Sequence, residues 1–226
     1  MHNFDWKQLV NPEFYILLDF GGVKIGLFVL LFIVFAETGL FAGFFLPGDS
    51  LLFLAGIYSE LLTSQIALGN GFVNLVLLSS LVSLAGVFGN MVGYWFGVKG
   101  GTYLYNKEDT FWFKEKYLLQ SRDFFEKYGG KAIVYARFMP IFRTFAPIVA
   151  GIAGMDKKKF MVFNILSSIL WSFTMIFAGH YLSALFMEKF NIDLKSHIEY
   201  IVLGIVFVTT APVLWKLFKK RVHNKV

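Results

Sequence analysis

Residues 132–155 read AIVYARFMPIFRTFAPIVAGIAGM. The stretch is apolar, yet Arg137, Pro140, Arg143 and Pro147 interrupt it. Seven basic residues at positions 99–131 precede it, and Lys157-Lys158-Lys159 follows it. Lys and Arg mark the cytoplasmic flanks of membrane segments. Both ends of 132–155 therefore belong on one side, and the stretch is expected to enter and leave the membrane as a re-entrant hairpin. Two prolines fit a broken helix better than a continuous one. Irregular backbone persists at membrane depth only where protein or water covers it.

The rest of the chain supports a membrane setting. Of its 226 residues, 57% are hydrophobic and 16% charged, where a soluble domain carries about a quarter charged. No charged residue occurs in the 38 positions from Leu61 to Val98, nor in the 28 from Phe160 to Met187. A helix crossing the bilayer needs about 20 such residues, and a soluble helix would keep a polar face. The chain has no cysteine, which excludes disulfide and thiolate chemistry. The N-terminus is acidic rather than basic, so the first apolar run is expected to be retained rather than cleaved. The net charge of +6 collects in membrane flanks such as Lys216, Lys219, Lys220, Arg221 and Lys225. It points to a cytoplasmic C-terminus and anionic lipid head groups, not to nucleic acid.

The fold expected is an all-α integral membrane protein in one membrane domain, 1–226. Its first half, 1–98, holds an interfacial helix started at Asn11-Pro12, a Pro-broken segment within 24–59 and a span at 71–98. Its second half, 99–186, holds an amphipathic helix at 107–128, the re-entrant segment 132–155 and a span at 160–186. A C-terminal span at 198–215 and a basic tail at 216–226 follow. Phe45-Leu46-Pro47 with Leu54-Ala55-Gly56-Ile57 parallels Phe138-Met139-Pro140 with Val149-Ala150-Gly151-Ile152. One clean span separates the halves, so they should be inverted, as in many transporters whose site lies between broken segments. The 36 residues of 24–59 would also fit a true span followed by a shorter hairpin.

The chemistry is expected at the charges left inside the apolar runs: Glu37 and Asp49 around Pro47-Gly48, Arg137 and Arg143 around Pro140. Each costs about 2.5–3.5 kcal/mol at the centre of a membrane helix. Two acids and two bases balance, so the two hairpin tips should meet. A structural ion-pair network is the plain alternative to a transport site. The guanidiniums suit a substrate phosphate, and the carboxylates suit proton coupling. Asp49, beside the freed backbone of Pro47-Gly48, is expected to stay ionised. Glu37, one arm away, is the better candidate to exchange a proton. Pro47, Gly48, Pro140 and Pro147 are expected to form the helix breaks. Gly89, Gly93 and Gly97 recur every four residues and should let helices approach closely. Asn90 and Asn164 should bond to neighbouring helices. No metal or nucleophile constellation stands out, so no cofactor and no enzyme activity are expected.

These residues resemble the signatures of the DedA family, the bacterial branch of the VTT-domain proteins. Glu37 with Phe45-Leu46-Pro47-Gly48-Asp49 is similar to the first signature. Gly89-x3-Gly93-Tyr94-x2-Gly97 is similar to the glycine-rich span, and Arg137-Phe138-x-Pro140-x2-Arg143-x3-Pro147-x3-Gly151 to the second signature, continued by Met155, Phe160, Asn164 and Trp171. The resemblance covers about residues 24–215. It implies two facing re-entrant loops in an inner-membrane protein that moves lipids such as polyprenyl phosphate or phospholipid, with ties to the proton-motive force. The partners expected are thus membrane lipids with phosphate head groups and protons, with a homo-oligomer left open. A proton-coupled antiporter of small cations or drugs is the alternative function, and a membrane-embedded lipid enzyme a third.

Overall fold

The structure, a computed structural model, describes residues 12–20, 23–40, 48–64, 66, 70–105, 123, 125 and 127–191. Pro47, most of the helix expected at 107–128, the span expected at 198–215 and the tail 216–226 lie outside the described residues. In chain order the elements are α1 (Pro12–Ile16), β1 (Asp19–Phe20), β2 (Val23–Lys24), α2 (Gly26–Gly39), α3 (Gly48–Ile57), α4 (Ser59–Thr63), α5 (Gly71–Tyr105), α6 (Lys131–Arg137), α7 (Pro140–Ile152) and α8 (Lys157–Phe190). The described residues are all-α apart from one antiparallel pair that sets Asp19 against Lys24 and Phe20 against Val23. That pair replaces the second part of the expected interfacial helix. Gly21-Gly22 falls between its strands in sequence, and each glycine costs a helix interior about 1 kcal/mol.

Two helices dominate. α5 has 35 residues and α8 has 34. At about 1.5 Å per residue each reaches roughly 50 Å, beyond the ~30 Å of a hydrocarbon core. α8 starts where the Asp156 side chain accepts the Lys159 N–H at 2.9 Å, an N-cap. It ends at Asn191, which takes a left-handed φ of 53°, the usual conformation of a helix stop. Phe88, Trp95 and Phe96 on α5 and Val162, Leu166 and Leu170 on α8 point outward. Lipid, not water, is the solvent that suits such faces. By contrast α2 has 14 residues, α3 has 10, α6 has seven and α7 has 13. The longest of them reaches about 21 Å, too short to cross alone.

α5 and α8 run antiparallel. Tyr94 stacks on Phe160 at 4.3 Å, Asn90 donates to Asn164 at 2.7 Å, and Ser83 bonds Ser172 at 2.5 Å. Numbers rise on one helix as they fall on the other. Asn164 also donates to the Val87 carbonyl at 3.1 Å, so the two asparagines bond across this interface.

The broken segments fill the two sides of this pair, and each returns to the end it came from. Leu27 at the start of α2 and Leu61 and Leu62 in α4 line one pocket, while Glu60 lies near Gly71 at the start of α5. At the opposite end Gly129 and Gly130 lie against Lys159 and Phe163, and Ile152 at the end of α7 lies against Gly101 of α5. The pairing is exchanged between halves: α2 packs on α5 and α3 on α8, while α6 packs on α8 and α7 on α5. Lys131 and Lys158 are both exposed at one end of the bundle. Single cysteines at these two positions should label from the same side of a sealed vesicle. Labelling from opposite sides would overturn this arrangement.

The glycine stripe of α5 makes the close approach. A Cβ on Gly89 would collide with the Thr38 hydroxyl of α2, and one on Gly97 with the Ile148 carbonyl of α7. At Gly93 the nearest atoms, on Ile148 and Pro147, would lie at an ordinary 3.5 Å. Gly97→Ala should therefore destabilise by about 1–3 kcal/mol, read as a lower melting temperature in detergent. Gly93→Ala should melt close to wild type, and equal losses for the two would contradict this packing.

Candidate functional site

The break between α6 and α7 falls at Phe138 and Met139, just before Pro140, which takes the first helical position of α7. Proline is favoured there because its missing N–H has no helical partner to lose. Pro147 does not break the chain as expected. It lies inside α7, where it cannot donate to the carbonyl four residues back, that of Arg143. Arg137 closes α6 and Arg143 opens α7. Glu37 lies in the last turn of α2, and Asp49 is the second residue of α3. All four charges thus stand at the inner ends of short helices, where the two broken segments face each other.

Arg143 ties them. Its Nη1 donates to Asp49 Oδ1 and its Nη2 to Glu37 Oε1. Both bonds are ion pairs between α7 and the first broken segment. Glu37 is 1% exposed, Arg137 3% and Arg143 6%, so these charges have little water to fall back on. Gly48 is needed for the approach, since a Cβ there would collide with the Glu37 carboxylate. Asp49 accepts from Arg143 and from an indole. Glu37 has one carboxylate oxygen paired with Arg143, and the other, Oε2, has no partner among the described residues.

Trp171 of α8 completes the cluster, and the charge pattern alone did not find it. It is fully buried. Its Nε1 donates to Asp49 Oδ1 at 2.9 Å, and its ring faces both guanidiniums, with each Cζ 5.0 Å from the ring centroid. A desolvated cation over an indole is worth about 2 kcal/mol. The signal was present: tryptophan in a membrane helix favours the interface, and this one stands far inside its span. Gly86, three residues off the stripe, was missed too. A Cβ there would collide with Arg137 Nη2. Among the described residues, no group of three or more His, Asp or Glu side chains could hold a metal ion.

An all-α membrane chain whose two broken segments bring opposite buried charges together defines a class, and the comparisons name it. A family model for the VTT domain matches residues 46–181. Protein DedA of Escherichia coli (strain K12) is 36% identical over 184 residues, covering 81% of this chain and 78% of that protein. An uncharacterized membrane protein of Mycobacterium tuberculosis (strain CDC 1551 / Oshkosh) is 38% identical over 185 residues, 82% and 75% of the two chains. Inner membrane protein YqjA of Escherichia coli (strain K12) is 29% identical over 227 residues, 98% and 93%. No solved structure matches. The chain belongs to the DedA family of VTT-domain membrane proteins.

Arg143 bridges two carboxylates with two different nitrogens, which a lysine ammonium cannot reproduce with the same planar geometry. Arg143→Lys is expected to lower stability by about 1–3 kcal/mol, the cost of leaving a buried acceptor without its hydrogen bond. Thermal unfolding in detergent measures it. A lysine variant that melts like wild type would show that charge alone holds the cluster.

Proposed function

We propose that this protein is a lipid translocase that moves a phosphate-bearing lipid, such as polyprenyl phosphate or a phospholipid, across the membrane. The observation that supports it is the buried cluster of Arg137, Arg143, Glu37 and Asp49 at the meeting point of two broken segments. Ionisable groups inside a membrane domain mark substrate or ion paths, and broken helices are where transporters build such sites. Arg137 and Arg143 offer planar donor forks that match phosphate oxygens. The head group passes through the protein while the tails stay in lipid.

Glu37 and Asp49 supply the coupling. A phosphate arriving at the guanidiniums competes with the carboxylates for them. A carboxylate that loses its cation in apolar surroundings holds a proton more readily, so head-group binding and protonation are linked. Glu37, with one oxygen unpartnered among the described residues, is the acid assigned to that exchange. The basic end carrying Lys131 and Lys157-Lys158-Lys159 is assigned to the cytoplasm. The relatives' names, among them an inner membrane protein, suit a cytoplasmic-membrane location.

Vesicle reconstitution tests the function. Transfer of a phosphate-bearing lipid should depend on the protein and on an imposed proton gradient. Glu37→Gln should retain lipid binding and lose the gradient dependence. Cation-driven proton release without lipid transfer would favour the antiporter instead. Unchanged gradient dependence in the glutamine variant would make Glu37 a structural residue.

A further inference from the structure

The two arginines are not equivalent. Arg143 spends Nη1 and Nη2 on Asp49 and Glu37. Arg137 is as deeply buried, yet its Nε, Nη1 and Nη2 have no hydrogen-bond partner among the described residues. Among the described residues it meets the face of Trp171, 5.0 Å from Cζ. The ring contact answers none of the N–H donors at the edge of the guanidinium. α5 makes room for this edge. The missing Cβ of Gly86 would fall on Nη2, with the Ser168 hydroxyl 3.7 Å from the same point.

A guanidinium cannot lose its charge as a lysine can. Held dry with five donors unanswered, it carries a large desolvation cost. The acids offset its charge at a distance but do not answer its donors. What is missing is an acceptor, and the geometry of the fork selects an oxyanion with two adjacent oxygens.

We propose that Arg137 is the anion receptor of the cluster and Arg143 the latch between the broken segments, so that a phosphate oxyanion docks on Arg137 before either carboxylate is displaced. This rests on the lipid-phosphate reading given above and divides the work within it. The ion pairs of Arg143 keep the two segments together while the head group binds. Release of the latch belongs to the later step in which the segments part.

Isothermal titration calorimetry on the full-length protein in an uncharged detergent tests the division, with thermal unfolding in parallel. The probes are dihexanoyl phosphatidate, inorganic phosphate and phosphate-free dihexanoylglycerol. Wild type should bind phosphatidate and not dihexanoylglycerol. Arg137→Lys should weaken phosphatidate binding about tenfold or more, the size of one lost charge-assisted hydrogen bond. Gly86→Ala, which displaces only the tip of Arg137 and removes no charge, should weaken it in the same direction and covers the case in which Arg137→Lys fails to fold. Arg143→Lys should lower the melting temperature and cost less affinity than Arg137→Lys. Tighter binding of phosphatidate than of inorganic phosphate identifies a lipid head group as the ligand, and equal affinity identifies the free ion; either supports the receptor. Wild-type binding that survives both Arg137→Lys and Gly86→Ala overturns the assignment and leaves the lipid-phosphate reading standing. So does an Arg143→Lys variant that melts normally yet loses the most affinity. A wild type that binds neither phosphate probe overturns both proposals together.

Discussion

Arg143 holds this structure in its observed state. Its guanidinium spans from α7 to the last turn of α2 and the first turn of α3, so three short helices that cannot cross a bilayer share one anchor. None of them has the length to be fixed by the membrane itself. Hairpins at membrane depth need protein cover for their broken backbone, and here Arg143 of the second segment joins the inner ends of α2 and α3. A buried pair gains little over an apolar alternative in net stability. What it adds is a register in which both carboxylates reach one guanidinium.

That register is set by close backbone contact elsewhere. Gly89 admits α2 to α5, and Gly97 admits α7 to the same helix a little over two turns further on. On α8 the seam with α5 is polar: Ser83, Ser172, Asn90 and Asn164 bond across it. Between apolar helices in lipid there is no hydrophobic drive to associate, so small residues and such hydrogen bonds do the pairing. The seam leads to Trp171, whose indole joins the α8 side to Asp49. The charge cluster is thereby braced from α5 by Gly86, from α8 by Trp171 and from the segments by one another.

The sequence made the architecture legible where a physical rule is sharp. Absence of charge over 38 and 28 positions located the long helices, though both run past the limits set by composition, because a helix continues into the head-group region until a cap stops it. The four intramembrane charges were legible for the same reason: each is costly, so each must have a purpose. The division of partners among them was not. Arg137 and Arg143 look alike at six residues' spacing, and only the break at Phe138 and Met139 sends one to the acids and the other to Gly86 and Trp171. Pro147 misled because a proline inside a helix and a proline that breaks one carry the same letter. At the N-terminal side of α2, aromatic and charged residues suggested an amphipathic helix, but the helix stops at Ile16 and a short strand pair follows.

Charge balance gives the cluster its direction. With both acids ionised, two carboxylates and two guanidiniums sum to zero, a sum the membrane interior favours because each uncompensated charge there costs about 2.5–3.5 kcal/mol on insertion scales. A phosphate brought to Arg137 adds negative charge and disturbs that sum. Sending a cation along would restore it, but Glu37 and Asp49 are already engaged with Arg143. A proton requires one carboxylate oxygen without a partner, and Glu37 Oε2 is that oxygen among the described residues. On the proposed lipid-phosphate reading, conservation of charge in a dry site is thus the physical argument for the proton coupling proposed at Glu37.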